Sequence, residues 1–383
     1  MRDCKFYVYE GMPTASDVFQ PAARLEAWLR EKKLLAGTAT LRQPNLVIHG
    51  MSRDVSHLLL LHALLNHPKR TKWVGDATFF YVPLGETFLN PRTNNSKTRI
   101  LAQDTSLALA LHRENPQWES SAACHWLATG RPSRWYFGAS HSPLLTEAGG
   151  VLAASGGMQK LTVERWTTQD GDHRRPHDLT NTTLFHAMPY MPSVVNVELA
   201  SRLRSGEHAR TADRPNLVVG AFGARGNQTN AGRLRVALGR QCEHHPADCA
   251  MHSVAAVEDV VSLYNQSVFC LGPSGDSYAR KANIDALAVG CIPVVFYHAS
   301  IDYPWHLPHA SNTRILIPAA DVMYGKVDVV ETLKKVPVAR VRAMQREIAS
   351  LRIAYPAQVD VTVDHMCMEA AYHDCQRRTQ QLR

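Results

Sequence analysis

Phe269-Cys-Leu-Gly-Pro-Ser-Gly-Asp-Ser-Tyr-Ala-Arg-Lys-Ala-Asn-Ile-Asp-Ala-Leu-Ala-Val-Gly-Cys-Ile-Pro-Val294 is the stretch that decides the fold. With Val268 it opens as a short apolar run of the kind found in buried strands. Gly272-Pro-Ser-Gly-Asp-Ser277 then breaks the run with turn-forming residues. A helix pattern follows from Tyr278 to Val289, and Gly290 suits a left-handed C-cap. Cys291 to Tyr297 is the next apolar strand. Strand, tight polar turn, helix and strand form a Rossmann-like unit, whose ligands bind at the carboxyl ends of the strands.

The same grammar extends outward. Upstream, Asn216 to Phe222 reads as a strand running into Gly223-Ala-Arg225-Gly226, with a helix after it through Leu238. Downstream, Arg314 to Ile317 reads as a strand, and Val341, Met344, Ile348 and Leu351 mark one face of a helix over Val338 to Ile353. In the first half, strands are predicted over Lys5 to Tyr9, Asn45 to His49, Ala77 to Pro83 and Arg134 to Phe137. Helices are predicted over Ala22 to Lys33, Val55 to Leu65, 100–113 and 118–129. The alternation implies an α/β protein with parallel sheets. A charged, small-residue-rich stretch near residues 200–214 places a linker, giving domains 1–205 and 206–383.

Composition narrows the class. The 383 residues are 45% hydrophobic and 20% charged, which is globular, and suffice for two cores. The net charge is +8, but the basic residues are scattered rather than gathered in a run with interleaved aromatics, so no nucleic-acid partner is expected. No run of about 18 apolar residues could cross a bilayer. The start lacks a signal-peptide core. Asn94, Asn181, Asn227 and Asn265 head glycosylation sequons. Of eight cysteines, the close pairs Cys242/Cys249 and Cys367/Cys375 suggest disulfides formed in an oxidising lumen. Cys270 and Cys291 sit in apolar runs and read as buried thiols.

The chemistry concentrates in the opening stretch. Ser274, Gly275, Asp276 and Ser277 precede a helix N-terminus, where unpaired N–H groups and the helix dipole attract an anion such as a diphosphate. Arg280 could meet phosphate oxygens, and Asp285 could accept hydrogen bonds from a ribose diol. The same residues read equally well as an N-cap with surface charges. Arg225, in a glycine-rich turn, could add a second positive charge. The chain has neither H-E-x-x-H nor a paired C-x-x-C, so no zinc site is expected, and Asp170-Gly171-Asp172 lacks the preceding strand of a metal–diphosphate motif.

Gly272-Pro-Ser-Gly-Asp-Ser277, Arg280, Asp285-Ala286 and Gly290-Cys-Ile-Pro-Val294 together resemble the signature of the exostosin family, glycosyltransferase family 47. Phe6-Tyr-Val-Tyr-Glu10, Asp76 to Pro83, Ala187 to Ser193, Phe222 to Gly226, Tyr303 to Pro308 and Ile317-Pro318 match in order. The resemblance implies a GT-B fold of two Rossmann-like domains, the second binding the donor. It also implies inverting transfer from a UDP-sugar to a glycan or polysaccharide, without cofactor or metal, in the Golgi lumen. Such proteins usually carry an N-terminal anchor, which is expected to be absent from this sequence. A homo- or hetero-oligomer with another glycosyltransferase fits the same resemblance. One stretch departs from the family: Gly130-Arg-Pro-Ser-Arg-Trp-Tyr-Phe137 lacks the usual aspartate and histidine, and His141 is followed by Ser142 instead of aspartate. His141 and Glu10 are the candidate general bases on the acceptor side. The departure keeps a second reading open, an inactive subunit that binds glycan or a partner glycosyltransferase.

Overall fold

The computed structural model describes residues 3–10, 24–31, 46–47, 53–83, 109–116, 118–128, 159–162, 185–195, 214–223, 229–252, 257–275 and 278–375. Two separate parallel sheets organise them, as a GT-B fold requires.

The first sheet holds β1 (Phe6–Val8), β3 (Arg70–Thr71), β4 (Phe79–Val82), β5 (His125–Ala128), β6 (Gln159–Thr162) and β7 (Phe185–Ala187) in the order β3-β1-β4-β5-β6-β7. Every pairing in it is parallel. Helices α1 (Leu25–Glu31) and α2 (Arg53–Leu65) contribute Leu25, Leu29 and Leu58 to Leu61 to its core. A two-stranded antiparallel ribbon joins β2 (Leu46–Val47) to β8 (Val194–Val195), so the predicted strand around residue 46 lies outside the main sheet. The predicted helix over 118–129 is corrected: a 3₁₀ segment, Trp118–Cys124, leads directly into β5. Burial of every β5 side chain in the sheet overrides the helical propensity of Leu127 and Ala128.

The second sheet holds β9 (Asn216–Ala221), β10 (Cys249–His252), β11 (Ser267–Gly272), β12 (Ile292–Val295) and β13 (Ile315–Leu316), ordered β10-β9-β11-β12-β13 and wholly parallel. Its helices are α3 (Asn230–His244), α4 (Val257–Asn265), α5 (Lys281–Ala288), α6 (Ala319–Met323), α7 (Val329–Lys334) and α8 (Val338–Ser350). β11 is buried at every position, as expected for a central parallel strand. Gly290 takes φ +73 at the end of α5, the left-handed conformation anticipated for it. Arg214 is buried and donates to the carbonyls of Tyr264, Ser267 and Val289, pinning the start of β9 to the base of β11 and the end of α5.

The last helix, α9 (Ala357–Tyr372), returns to the first sheet. Val359, Val363, Met366, Cys367 and Ala370 share a core with Phe6, Phe80 and Trp126. Residues 355–375 therefore pack with the first domain rather than with the 206–383 unit to which their sequence position assigned them. All eight cysteines are paired: Cys4–Cys367, Cys124–Cys375, Cys242–Cys249 and Cys270–Cys291. The Cys242–Cys249 bond is as predicted. Cys367 and Cys375 do not join each other; each fastens α9 to the first sheet. Cys270 and Cys291 are not thiols, because parallel pairing of β11 with β12 brings their Cα atoms to 6.0 Å, within disulfide reach. Among the described residues, no helix is long and apolar enough to cross a membrane.

Candidate functional site

In a sheet ordered like the second one, the connections leaving the first and third strands run to opposite faces, opening a crevice between their carboxyl ends. Those strands are β9 and β11, and the two turns singled out from the sequence leave them here.

Arg235, on α3, holds these turns together. Its Nη1 donates to the Gly223 carbonyl at 2.7 Å, and its Nε and Nη2 donate to the Ser274 carbonyl at 3.2 and 3.0 Å. The guanidinium also lies 5.5 Å from the centre of the Phe222 ring. Buried within α3, Arg235 is indistinguishable in sequence from a surface charge, and no signal there marks it as a clamp. A cavity of about 440 Å³ adjoins the clamp, lined by Phe222, Gly223, Arg235, Gly239, Met251 and His252.

Ser274 is buried, and Gly275 lies against Arg280: a Cβ there would stand 2.9 Å from an Arg280 nitrogen. Arg280 itself is the N-cap of α5, with extended backbone, rather than a first-turn residue, because the helix begins three residues later than predicted. Its guanidinium donates to the Pro273 carbonyl at 3.3 Å, which folds it back over the turn. Gly272 admits the Asn283 side chain, with which any Cβ would collide. Asn283 is buried and, among the described residues, its Nδ2 has no hydrogen-bond partner, a donor at the carboxyl end of β11 that sequence reasoning passed over. Tyr278 packs on Tyr297 beyond β12, with ring centres 4.4 Å apart. Arg225, Asp276 and Ser277 lie outside the described residues, as does His141.

Asp285 has a different setting from the one predicted. Its Oδ1 accepts from the Ser193 backbone N–H at 2.6 Å, and both oxygens accept from Lys281 Nζ at 2.8 Å. Lys281 also donates to the Ser193 hydroxyl. The buried carboxylate is therefore committed to the protein, tying α5 to the segment after β7. That segment spans the two cores: Met188 and Met191 pack with the first, and Tyr190 packs with the second together with Ala187 at the end of β7.

Glu10 stands at the carboxyl end of β1, exposed and ion-paired with Arg70. Beside it Tyr9 is wholly buried. Its hydroxyl lies 2.8 Å from His125 Nε2 and accepts from Asn115 Nδ2 at 3.2 Å. His125 Nδ1 lies 2.9 Å from the Ser121 carbonyl, so the neutral ring donates there and accepts from Tyr9. Burial pushes the Tyr9 phenol up and the His125 imidazole down to about 4. Neither group changes charge near neutrality, and the network is a structural support behind Glu10.

Against known proteins, the exostosin GT47 domain matches residues 2–323. The chain belongs to the exostosin GT47 family. Xyloglucan galactosyltransferase MUR3 of Arabidopsis thaliana is 29% identical over 253 residues, covering 62% of this chain and 38% of the relative. The probable xyloglucan galactosyltransferase GT20 of the same plant is 35% identical over 185 residues, covering 46% and 30%. This GT47 chain thus matches well under half the length of either relative. Among solved structures, a glycosyltransferase from Rickettsia africae ESF-5 aligns with 96% of this chain and 99% of its own at 8% identity and a TM-score of 0.41. WaaG, a glycosyltransferase involved in lipopolysaccharide biosynthesis, aligns over 94% and 99% at 12% identity and a TM-score of 0.34. At such values no site residue is carried across.

Proposed function

We propose that this GT47 chain transfers a sugar from a UDP-sugar to a hydroxyl of a polysaccharide, with inversion at the anomeric carbon. The observation that carries the reading is the pair of turns at the β9/β11 reversal, clamped by Arg235 with Arg280 folded over one of them. The donor's diphosphate lies at this turn, against the α5 N-terminus and Arg280, with Arg225 in support. These groups stabilise the charge that grows on the leaving UDP, the task a metal performs in other transferases. A general base at the first sheet, Glu10 or His141, takes the acceptor proton as the hydroxyl attacks.

Two of the relatives are named for xyloglucan galactosyl transfer, which puts UDP-galactose and a xyloglucan acceptor first in the screen. The four disulfides support a lumenal, Golgi-type location, since such bonds persist in oxidising compartments. The test is UDP release from UDP-galactose, UDP-xylose, UDP-arabinose, UDP-glucuronate and UDP-N-acetylglucosamine, with and without polysaccharide acceptors. Acceptor-stimulated release from one donor supports the reading, and no saturable UDP binding at all would overturn it. Retained UDP binding without release from any donor would favour the inactive, glycan-binding subunit.

A further inference from the structure

Where β7, α9 and the loop carrying Trp305 meet, His186, His365 and Glu369 each bring one ligand-type atom to within 4.8 Å of the others. His186 Nδ1 and His365 Nε2 are 3.0 Å apart, and His365 Nε2 is 3.8 Å from Glu369 Oε1. We propose that these three side chains bind one divalent transition-metal ion of the zinc type.

Two ligand atoms sharing a tetrahedral zinc at its usual bond lengths stand roughly 3.4 Å apart, and the two observed separations bracket that value. The protonation pattern favours a cation. His186 Nε2 is 2.7 Å from Gln159 Oε1 and must donate to it, leaving a lone pair on His186 Nδ1. Gln159 is held in this orientation because its Nε2 faces the Ala123 carbonyl at 3.3 Å and His373 Nε2 at 3.0 Å. The His186 lone pair and the Glu369 carboxylate both converge on His365 Nε2. A proton on that nitrogen reaches His186 Nδ1 at 3.0 Å but leaves Glu369 Oε1, at 3.8 Å, beyond hydrogen-bond range, whereas one cation can be ligated by all three groups. His186 is held by a hydrogen bond from its other nitrogen, the usual state of a metal-ligating histidine, while Nδ1 of His365 has no such partner among the described residues.

The ligand set selects the ion. Two imidazoles and one carboxylate suit zinc and its first-row neighbours, while magnesium and calcium prefer all-oxygen shells. His365 and Glu369 lie one helical turn apart and share a face of α9. Three protein ligands leave a fourth position to water. Trp305, from the second half of the chain, stacks on His365 with ring centres 3.3 Å apart. An ion here therefore fastens α9 and β7 together directly beneath a loop of the other domain. The inference does not rest on the transferase reading.

The experiment uses tag-free full chain made through a secretory pathway, stripped with EDTA and dialysed, then titrated with Co²⁺ and with Zn²⁺. The wild type is expected to take up one ion per chain, with the visible absorption of low-coordinate cobalt, and to lose thermal stability when EDTA is added. Glu369→Gln and His365→Ala are each expected to weaken binding by about tenfold or more, and EDTA should leave the Glu369→Gln melting temperature unchanged. Glu369 is partly exposed on its helix, so its Gln variant keeps the fold and decides the matter should His365→Ala misfold. No saturable Co²⁺ or Zn²⁺ uptake by the wild type, or wild-type affinity in Glu369→Gln, overturns the site.

Discussion

Both sheets reverse beside their first strand, between β1 and β4 in one and between β9 and β11 in the other, yet the two reversals are filled differently. At the first, the strand end is packed with side chains: Tyr9, Phe80, His125 and Asn115 stack and hydrogen-bond into a closed network, with Glu10 at its edge on Arg70. At the second, small residues leave backbone turns at the surface, and arginines hold them from behind. Topology provides a crevice in both places, and the residues at the strand ends decide its chemistry. The first offers a carboxylate and the second offers arginines, the two chemistries that the proposed transfer from a diphosphate donor to a hydroxyl would use.

The sharpest way to break this division is at its seam. Asp285→Ala removes the acceptor of Ser193 N–H and strands Lys281 next to a buried strut. It is expected to cost about 3–5 kcal/mol of stability in denaturant melts, as for a broken buried ion pair. Should the melts be unchanged while UDP affinity collapses, Asp285 serves the ribose, as its place in the sequence first suggested. Next in size, Glu10→Gln is expected to lower kcat about 100-fold with UDP affinity unchanged, in the range for loss of a general base. A wild-type kcat would move that role to His141.

Arg280→Ala is expected to weaken UDP binding more than about tenfold, for a lost charge-assisted contact of about 1.5–3 kcal/mol, with circular dichroism unchanged. Isothermal titration with UDP reads it directly, and an unaltered Kd removes Arg280 from the donor site. Arg235→Leu should weaken UDP binding and also lower the melting temperature, since it leaves two turn carbonyls without their donors.

A pH titration sharpens the contrast from the first-sheet side. His125 and His306 are buried neutral, each pushed down by burial to about 4. A histidine depressed in the folded state gives stability that is complete above its unfolded value of about 6.5 and is lost as pH falls towards 4. Each should cost roughly 2 kcal/mol between pH 7 and pH 5. Urea midpoints at the two pH values check this, and His125→Asn should flatten the slope.

The connection from β11 to α5 was legible in sequence because it is local: a buried strand, a glycine-proline break and a helix lie within one short run. What escaped depends on distant partners. β10 reads Cys-Ala-Met-His, with no alternation, and becomes a strand only because β9 offers an edge. Arg235 looks like any helix arginine until two loops close on it. Asp285 carries no mark of Ser193, whose N–H lies 92 positions away in the sequence. The cysteines misled for the same reason, since proximity in sequence suggested Cys367 with Cys375 while the packing of α9 sends each to the opposite half of the chain.

Those two crosslinks set an order of events during synthesis. Cys4 is made 363 positions before its partner, and Cys124 waits 251 positions for Cys375. At about 5–20 residues per second, Cys4 stays without its partner for roughly 20–70 s while every other cysteine is made. The first domain therefore cannot lock before the second is largely made. The α9 segment acts as the latch on the β1 edge of the first domain, and errors of pairing at Cys4 are the natural target of a disulfide isomerase.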